Sequence, residues 1–294
     1  MPFEQVSVSV ADMTHDAHRD HPGHRHQPDD AGLLEVLELD ATLSGSQIEQ
    51  IIGWLSPYAP QRVHSIVDVG AGLGGGSVAL AEQFPEAWVQ AVDRSEPMLA
   101  RVRESAGAHG LADRISTLPA DLDQEWPREA TGADVVWAAS SLHEVADPER
   151  TFVQIHAALR PGGLLAVVEL TGLPRFLPDD VGLGEPGLEA RLRRVLSGLG
   201  WNRQLEWEQL FQAAGFELLG KAGFSAGGGH SAEAARKYAR TSLARIRPAL
   251  QAGAATADLA TLDAILAGED PGALLQRGGL DVRVDRVAWA ARKR

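Results

Sequence analysis

Residues 62–75 read Arg-Val-His-Ser-Ile-Val-Asp-Val-Gly-Ala-Gly-Leu-Gly-Gly, an apolar run that passes straight into a glycine-rich turn. Val63, Ile66, Val67 and Val69 suit a strand covered on both faces of a parallel sheet. Gly70, Gly72 and Gly74 or Gly75 let the backbone turn sharply and bring a ligand close to the main chain. The stretch from Ser77 to Phe84 predicts a helix whose N-terminus favours polar or anionic groups. Asp68, two residues before the first glycine, decides between ligands. Its carboxylate would repel a pyrophosphate and suits a ligand that carries positive charge.

Downstream, strand and helix alternate. Ala87–Val92 is a short apolar run closed by Asp93, and a helix is expected from Ser95, its cap, with Pro97 in the first turn, through Ala106. Ile115–Leu118 is a third strand, followed by Pro119-Ala120-Asp121-Leu122. Asp134–Ala139 is a fourth, entering Ser140-Ser141-Leu142-His143-Glu144. After a helix over Pro148–Leu159, Leu164–Leu170 makes a fifth. Strands joined by short helical crossovers predict an α/β fold with an open, doubly wound, mostly parallel sheet. Phe216–Leu219 and Val282–Ala290 supply a sixth and a seventh strand.

The remaining segments frame that sheet. Residues 1–30 hold His15, His18, His21, His24 and His26, half of the ten histidines, and read as a polar tail; metal capture by these imidazoles, interleaved with Asp12, Asp16 and Asp20, is the sharper alternative. Residues 31–60 predict a lid of two helices, with Ser44 and Ser46 as caps between them and Pro57 and Pro60 ending the second. Residues 61–294 then form one domain interrupted at about 171–205 and 225–279. The first interruption carries an amphipathic helix with Leu188, Leu192, Val195, Leu196 and Leu199 on one face. A further helix is expected over Trp207–Ala214, closed by Gly215. The second interruption carries a helix near 232–250, with Arg236, Arg240 and Arg247 on one side. Inserts of this length build a cap or a contact between two copies in a homodimer.

Composition narrows the function classes. The formal net charge of −13 argues against a general nucleic-acid binder, which needs a basic face. The absence of cysteine excludes disulfides, Cys-zinc sites and thiol catalysis. No apolar run reaches transmembrane length and no signal peptide is recognisable, so no membrane partner is expected and cytoplasm is the expected location.

Ligands of open parallel sheets bind outside the carboxyl ends of the strands. The polar outliers all fall there: Asp68 and Gly70–Gly74 after the first strand, Asp93 after the second, Asp121 after the third, His143 and Glu144 after the fourth, and Glu169 near the end of the fifth. Asp93 lies where a carboxylate accepts hydrogen bonds from both hydroxyls of a ribose. Asp121 could accept from an adenine amino group with Leu122 on the ring. The glycine pattern also satisfies the dinucleotide fingerprint. Asp68, the Ala120-Asp121-Leu122 element and the two C-terminal strands argue against that ligand.

With these residues in hand, the chain resembles the class I S-adenosylmethionine-dependent methyltransferases, and among them the small-molecule members of ubiquinone-biosynthesis type. Four elements carry the resemblance: Val67 to Gly74, Val92 to Leu99, Ala120-Asp121-Leu122, and Leu159-Arg160-Pro161-Gly162-Gly163. The resemblance implies a seven-stranded sheet with its last strand antiparallel. It also implies S-adenosylmethionine as cofactor, held by Asp68, Gly70, Gly72, Gly74, Asp93, Arg94, Met98, Asp121, Leu122 and Ser140. The expected reaction is methyl transfer to a small molecule, most simply at a hydroxyl oxygen, with His143 as base and Glu144 orienting or replacing it. N- or C-methylation, a cofactor-binding protein of the same fold that transfers nothing, and a nicotinamide-dependent oxidoreductase are the competing readings. His230 is a further candidate substrate contact. Trp54, Trp137 and Trp201 line either an apolar pocket or the core. A buried metal held by His143, His230 and Glu169 is conceivable but rests on no recognised spacing.

Overall fold

A computed structural model describes residues 31–201, 204–227, 231–268, 280 and 282–294 of the chain. Seven strands form one sheet: β1 (Ser65–Val69), β2 (Trp88–Asp93), β3 (Ile115–Pro119), β4 (Ala133–Ala139), β5 (Leu159–Leu170), β6 (Phe216–Gly227) and β7 (Arg283–Lys293). Their order across the sheet is β3-β2-β1-β4-β5-β7-β6. β1 to β5 run parallel, and β7 is antiparallel to both of its neighbours. The seven-stranded, mostly parallel sheet expected from the sequence is therefore present. The order reverses between β1 and β4, which opens a crevice at their carboxyl ends.

Helices cover both faces because both faces of the central strands are apolar. On one side α1 (Ala31–Leu55), α2 (Gly75–Gln83) and α3 (Glu96–Ala108) bury Ile51, Leu55, Leu80 and Val102 against Ile66, Val89 and Trp137. On the other, α4 (Pro148–Ala158) and α6 (Trp207–Ala213) pack Phe152, Ile155, Trp207 and Phe211 over Val67, Val136 and Leu165. Ser95 caps α3 as expected, its Oγ accepting from the Met98 N–H at 3.4 Å. α5 (Leu188–Gly198), α7 (Ala232–Leu250) and α8 (Thr256–Ala267) close a third apolar cluster that includes Leu43, Phe176, Leu192, Tyr238 and Leu262. This cap occupies both interruptions of the sheet. α8 is an element that the sequence pattern did not single out.

The two-helix lid is corrected by the structure. α1 is one continuous helix, and Ser44 and Ser46 lie inside it rather than capping it. The reason is tertiary. Asp40 and Gln47, one on each side of the Ser44-Gly45-Ser46 break signal, both bond the Arg286 guanidinium, which is 4% exposed. The Arg286 Nη2 donates to Asp40 Oδ2 at 2.6 Å, and Gln47 Nε2 donates to Val284 O at 3.0 Å. The Tyr238 hydroxyl donates to Asp40 Oδ1 at 3.0 Å, and Ser44 Oγ donates to the same oxygen at 3.2 Å. One buried polar network thus binds the lid helix, the cap helix α7 and β7, and holds the helix straight across its weak point.

β6 starts at Phe216 as expected and runs on to Gly227, and β7 begins one residue late and runs three further. Neither shift touches the carboxyl ends of β1, β2, β4 and β5, where the candidate site lies. Among the described residues, no helix is long and apolar enough to cross a membrane.

Candidate active site

The turn after β1 is built by left-handed glycines. Gly70, Gly72 and Gly74 have φ of +67°, +53° and +84°, values that a Cβ makes costly. Gly70 N–H and Ala71 N–H both donate to Val92 O, at 2.8 and 3.1 Å, which pulls the turn over the end of β2. A Cβ on Gly70 would overlap the Cβ of Ser141, whose hydroxyl donates to Val69 O at 2.7 Å. By contrast, a Cβ on Gly72 would meet nothing within 4 Å, so the crest of the turn is open. Ser141 thus positions the turn from β4, a role that no local signal in the sequence announces.

The three aspartates differ in what they offer. Asp68 is only 2% exposed, and its Oδ2 accepts from Ser77 Oγ at 2.6 Å. Burial pushes its carboxyl up to about 7; the Ser77 hydroxyl opposes the shift and the neighbouring charge of Asp93 adds to it. A cation near the turn would draw off that proton. Asp93 accepts the Gly72 N–H at 3.0 Å on one oxygen and the Ser95 N–H at 2.8 Å on the other. It therefore ties the glycine turn to the start of α3, and each oxygen still has a lone pair for a ligand hydroxyl. Ala120 N–H donates to Asp93 O at 3.1 Å, which brings the loop after β3 alongside. In that loop Asp121 accepts from Asp123 N–H at 3.0 Å, and Asp123 accepts from Ala146 N–H at 2.7 Å. Leu122 packs on the core under α4. The rim is thus continuous from Gly70 through Asp93 and Asp121 to the loop that carries His143.

Three further cofactor candidates flank this rim. Arg94 is exposed and Met98 is half-buried in the first turn of α3. Ser140, at the exit of β4, has φ of +53°, the sole left-handed residue besides glycine among those described. Strain of this kind costs about 1–3 kcal/mol and clusters at functional sites. Here it redirects the chain so that Ser141 faces the glycine turn and His143 faces β5.

His143 sits between two carboxylates. Its Nδ1 is 2.8 Å from Glu169 Oε2 and its Nε2 is 3.1 Å from Glu144 Oε1. The imidazole is 14% exposed and the Glu169 side chain 4%, whereas Glu144 reaches solvent. Burial by itself would lower the imidazole pKa; hydrogen bonds and charge from Glu144 and Glu169 outweigh it and hold the ring up to about 10. In the free protein His143 is accordingly an imidazolium at neutral pH. Glu169 Oε1 is buried and takes no hydrogen bond among the described residues, so a donor from a ligand would complete it.

That arrangement has a measurable consequence. A ring protonated more readily in the fold than in the unfolded chain stabilises the fold fully below about pH 6.5. The contribution is lost as pH rises towards 10. Urea unfolding followed from about pH 6 to 10 should show declining stability, and His143→Gln should flatten the decline. An unchanged slope in that variant would mean that the titrating group lies elsewhere.

Of the other sequence candidates, Trp137 is core and Trp54 packs on Tyr58 and Phe224, while Trp201 lines a cavity in the cap. His230 and the histidines of residues 1–30 lie outside the described residues. The sequence places Glu169 at the strand end and groups it with His143 only as a conceivable metal ligand beside His230, not as its hydrogen-bond partner. The pairing follows from the β4–β5 register, in which Ala139 lies opposite Val168.

Comparison with known proteins bears on the family and the fold. Residues 66–163 match the family model described as a methyltransferase domain. Over 145 residues the chain is 35% identical to trans-aconitate 2-methyltransferase of Variovorax paradoxus, covering 46% of this chain and 52% of that protein. It is 30% identical to the ubiquinone/menaquinone biosynthesis C-methyltransferase of Dinoroseobacter shibae, over 43% of this chain and 49% of that one. A tRNA 5-carboxymethoxyuridine methyltransferase of Escherichia coli is 24% identical over 60% of this chain and 70% of that protein. The chain spans about half the length of the first two relatives. Among solved structures, a Bacillus halodurans protein aligns with TM-score 0.54 at 17% identity, over 84% of this chain and 99% of that one. The YcgJ protein of Bacillus subtilis aligns at 0.52 and 14%, over 83% and 98%. These two likenesses speak for the fold.

Proposed function

Since the domain at residues 66–163 belongs to the class I S-adenosylmethionine-dependent methyltransferases, we propose that the protein transfers a methyl group from that cofactor to a small molecule, at a hydroxyl oxygen. The observation that carries the reading is the juxtaposition, along one edge of the sheet, of the Gly70–Gly74 turn and Asp93 with the His143–Glu169 pair. The open crest at Gly72 and the spare lone pairs of Asp93 fit a ribose, and the loop at Asp121 and Leu122 fits an adenine beside it. Asp68 supplies negative charge under the turn once a cation draws off its proton. Bound there, the cofactor supplies a methyl group already activated by a sulfonium.

The remaining work belongs to the chain: to orient an acceptor, exclude water and remove a proton. Glu144 occupies His143 Nε2, so an imidazolium stands where a base is needed. An acceptor hydroxyl that displaces the exposed Glu144 leaves the ring with one carboxylate on Nδ1. The ring pKa then falls, and the neutral tautomer keeps Nδ1–H on Glu169 and turns the Nε2 lone pair towards the hydroxyl. Glu144, freed from the ring, is the alternative proton acceptor. The same pocket serves N- or C-methylation when the acceptor already presents an electron pair, with the pair at His143 only positioning it. A net charge of −13 favours a small molecule over a nucleic acid, and the reading carries a cytoplasmic location with it.

The test is calorimetry with S-adenosylhomocysteine, followed by transfer of a labelled methyl group to small molecules of a cell extract. Asp93→Ala should weaken binding by about 1–3 kcal/mol, since it removes the acceptor for two ribose hydroxyls. Unaltered affinity in that variant would displace Asp93 from the site. Tight binding without any labelled product would favour a protein that holds the cofactor and transfers nothing.

A further inference from the structure

The cap is not filled. Between α1, the segment after β5, α5 and α7 lies a cavity of about 70 Å³ whose wall is mostly apolar, with Val36, Leu173, Phe176 and Leu192 among its lining. Trp201 forms part of the wall, and Arg193 of α5 enters it. An arginine in such a place needs a reason. Its neighbour Glu189 is already engaged, accepting Phe176 N–H at 2.9 Å and Leu177 N–H at 3.1 Å. Arg175 is likewise engaged by Asp285. Arg193 makes no hydrogen bond and no ion pair among the described residues, and burial together with the charge of Arg175 makes its protonated form less comfortable than usual, against the pull of Glu189. The guanidinium is therefore a partly desolvated cation with its donors unspent.

One glycine places it against the chain that follows β5. A Cβ on Gly172 would overlap Arg193 Nη2, so the guanidinium lies directly against the chain just past β5. Gly172 is three residues beyond Glu169, and three residues of extended chain reach about 10 Å at most. The cation thus lies against the chain as it leaves the same strand whose end carries Glu169, the partner of His143.

We propose that this cavity is the acceptor subsite, and that Arg193 binds a carboxylate of an acceptor whose apolar body fills the cavity. The proposal rests on the methyl-transfer reading and names the class of its acceptor. A planar guanidinium matches a carboxylate through two parallel N–H···O bonds. A phosphate is disfavoured because its second charge would face Glu189, while Arg175, the other arginine near it, is already paired with Asp285. The apolar wall supplies the rest of the affinity, in the usual pattern of a concave apolar site with one or two placed polar groups.

The experiment uses matched pairs of probes, hexanoate with hexanamide and benzoate with benzamide, titrated by calorimetry and Trp201-sensitive fluorescence into protein with and without S-adenosylhomocysteine. Each acid should bind at least about tenfold more tightly than its amide, a difference of about 1.4 kcal/mol. Arg193→Gln should erase that preference and leave S-adenosylhomocysteine affinity within about twofold. Val36→Phe, which fills the cavity from the lid, should abolish binding of acid and amide alike. Should Arg193→Gln fail to fold, Arg193→Lys keeps the charge, loses the fork and should retain only part of the preference. Equal binding of acid and amide, no saturable binding of either, or a preference that survives Arg193→Gln overturns the proposal. Failure of the methyl-transfer reading shows separately, as absence of S-adenosylhomocysteine binding whatever the probes do.

Discussion

His143→Ala is expected to lower methyl transfer by about 10²–10⁴-fold, the usual worth of a positioned acid–base group, with S-adenosylhomocysteine affinity preserved. The imidazole contacts both Glu144 and Glu169, and its removal strips the site of its proton path. It also takes from the Glu169 carboxylate, 4% exposed, the imidazolium that is paired with it. Part of any loss could therefore come from local rearrangement, and His143→Gln separates the two effects. Glutamine retains a donor for Glu169 and cannot take up a proton. If the proton path is what matters, both variants lose turnover alike and the alkaline dependence of the rate disappears in both. If the ring only orients its neighbours, glutamine recovers most of the activity. Near-normal turnover in the alanine variant would remove His143 from the chemistry.

Asp40→Ala is expected to destabilise the fold by about 3 kcal/mol, near the lower end of what breaking a buried ion pair costs. Arg286 is 4% exposed and Asp40 is its carboxylate partner, while Gln47 contributes only a neutral oxygen. Without Asp40 the guanidinium is a buried charge with half its compensation gone, and the Tyr238 hydroxyl loses its acceptor as well. The lower end applies because Asp40 is 23% exposed, so water can enter behind it. Urea unfolding measures the loss. The double substitution Asp40→Leu with Arg286→Met should recover much of it, since no charge then remains to be solvated. A single variant within about 0.5 kcal/mol of the parent would mean that the pair is solvated in practice and α1 is held by its apolar face alone.

The legible parts of the sequence were those in which a residue acts on its own neighbours. Glycines before a helix, Ser95 ahead of Pro97, and aspartates closing short apolar runs each signal a local backbone event, and each stands where expected. Residues acting across long separations were illegible. Ser44-Gly45-Ser46 has the composition of a break, yet Arg286, more than two hundred residues away, overrides it. Asp68 reads as a charge offered to a ligand. Only the packing of α2 over β1 reveals that it is buried on Ser77 and shares its proton near neutrality. The His143–Glu169 pair depends on strand register, which alternation of apolar residues does not encode. Arg193 looks like one more polar residue on an amphipathic helix, because its unusual quality is the lack of a partner rather than any pattern.

The order β5-β7-β6 carries a consequence for biosynthesis. β6 emerges from the ribosome well before β7, with α7 and α8 between them, yet β7 is the one strand to which it bonds. Until β7 arrives, β6 has no place in the sheet, and the flank of β5 is a bare hydrogen-bonding ribbon open to any passing strand. Until β7 is made, the nascent chain therefore carries a gap where aggregation can start. Insertion of β7 closes that gap in a single event, and brings Arg286 to α1 in the same stroke.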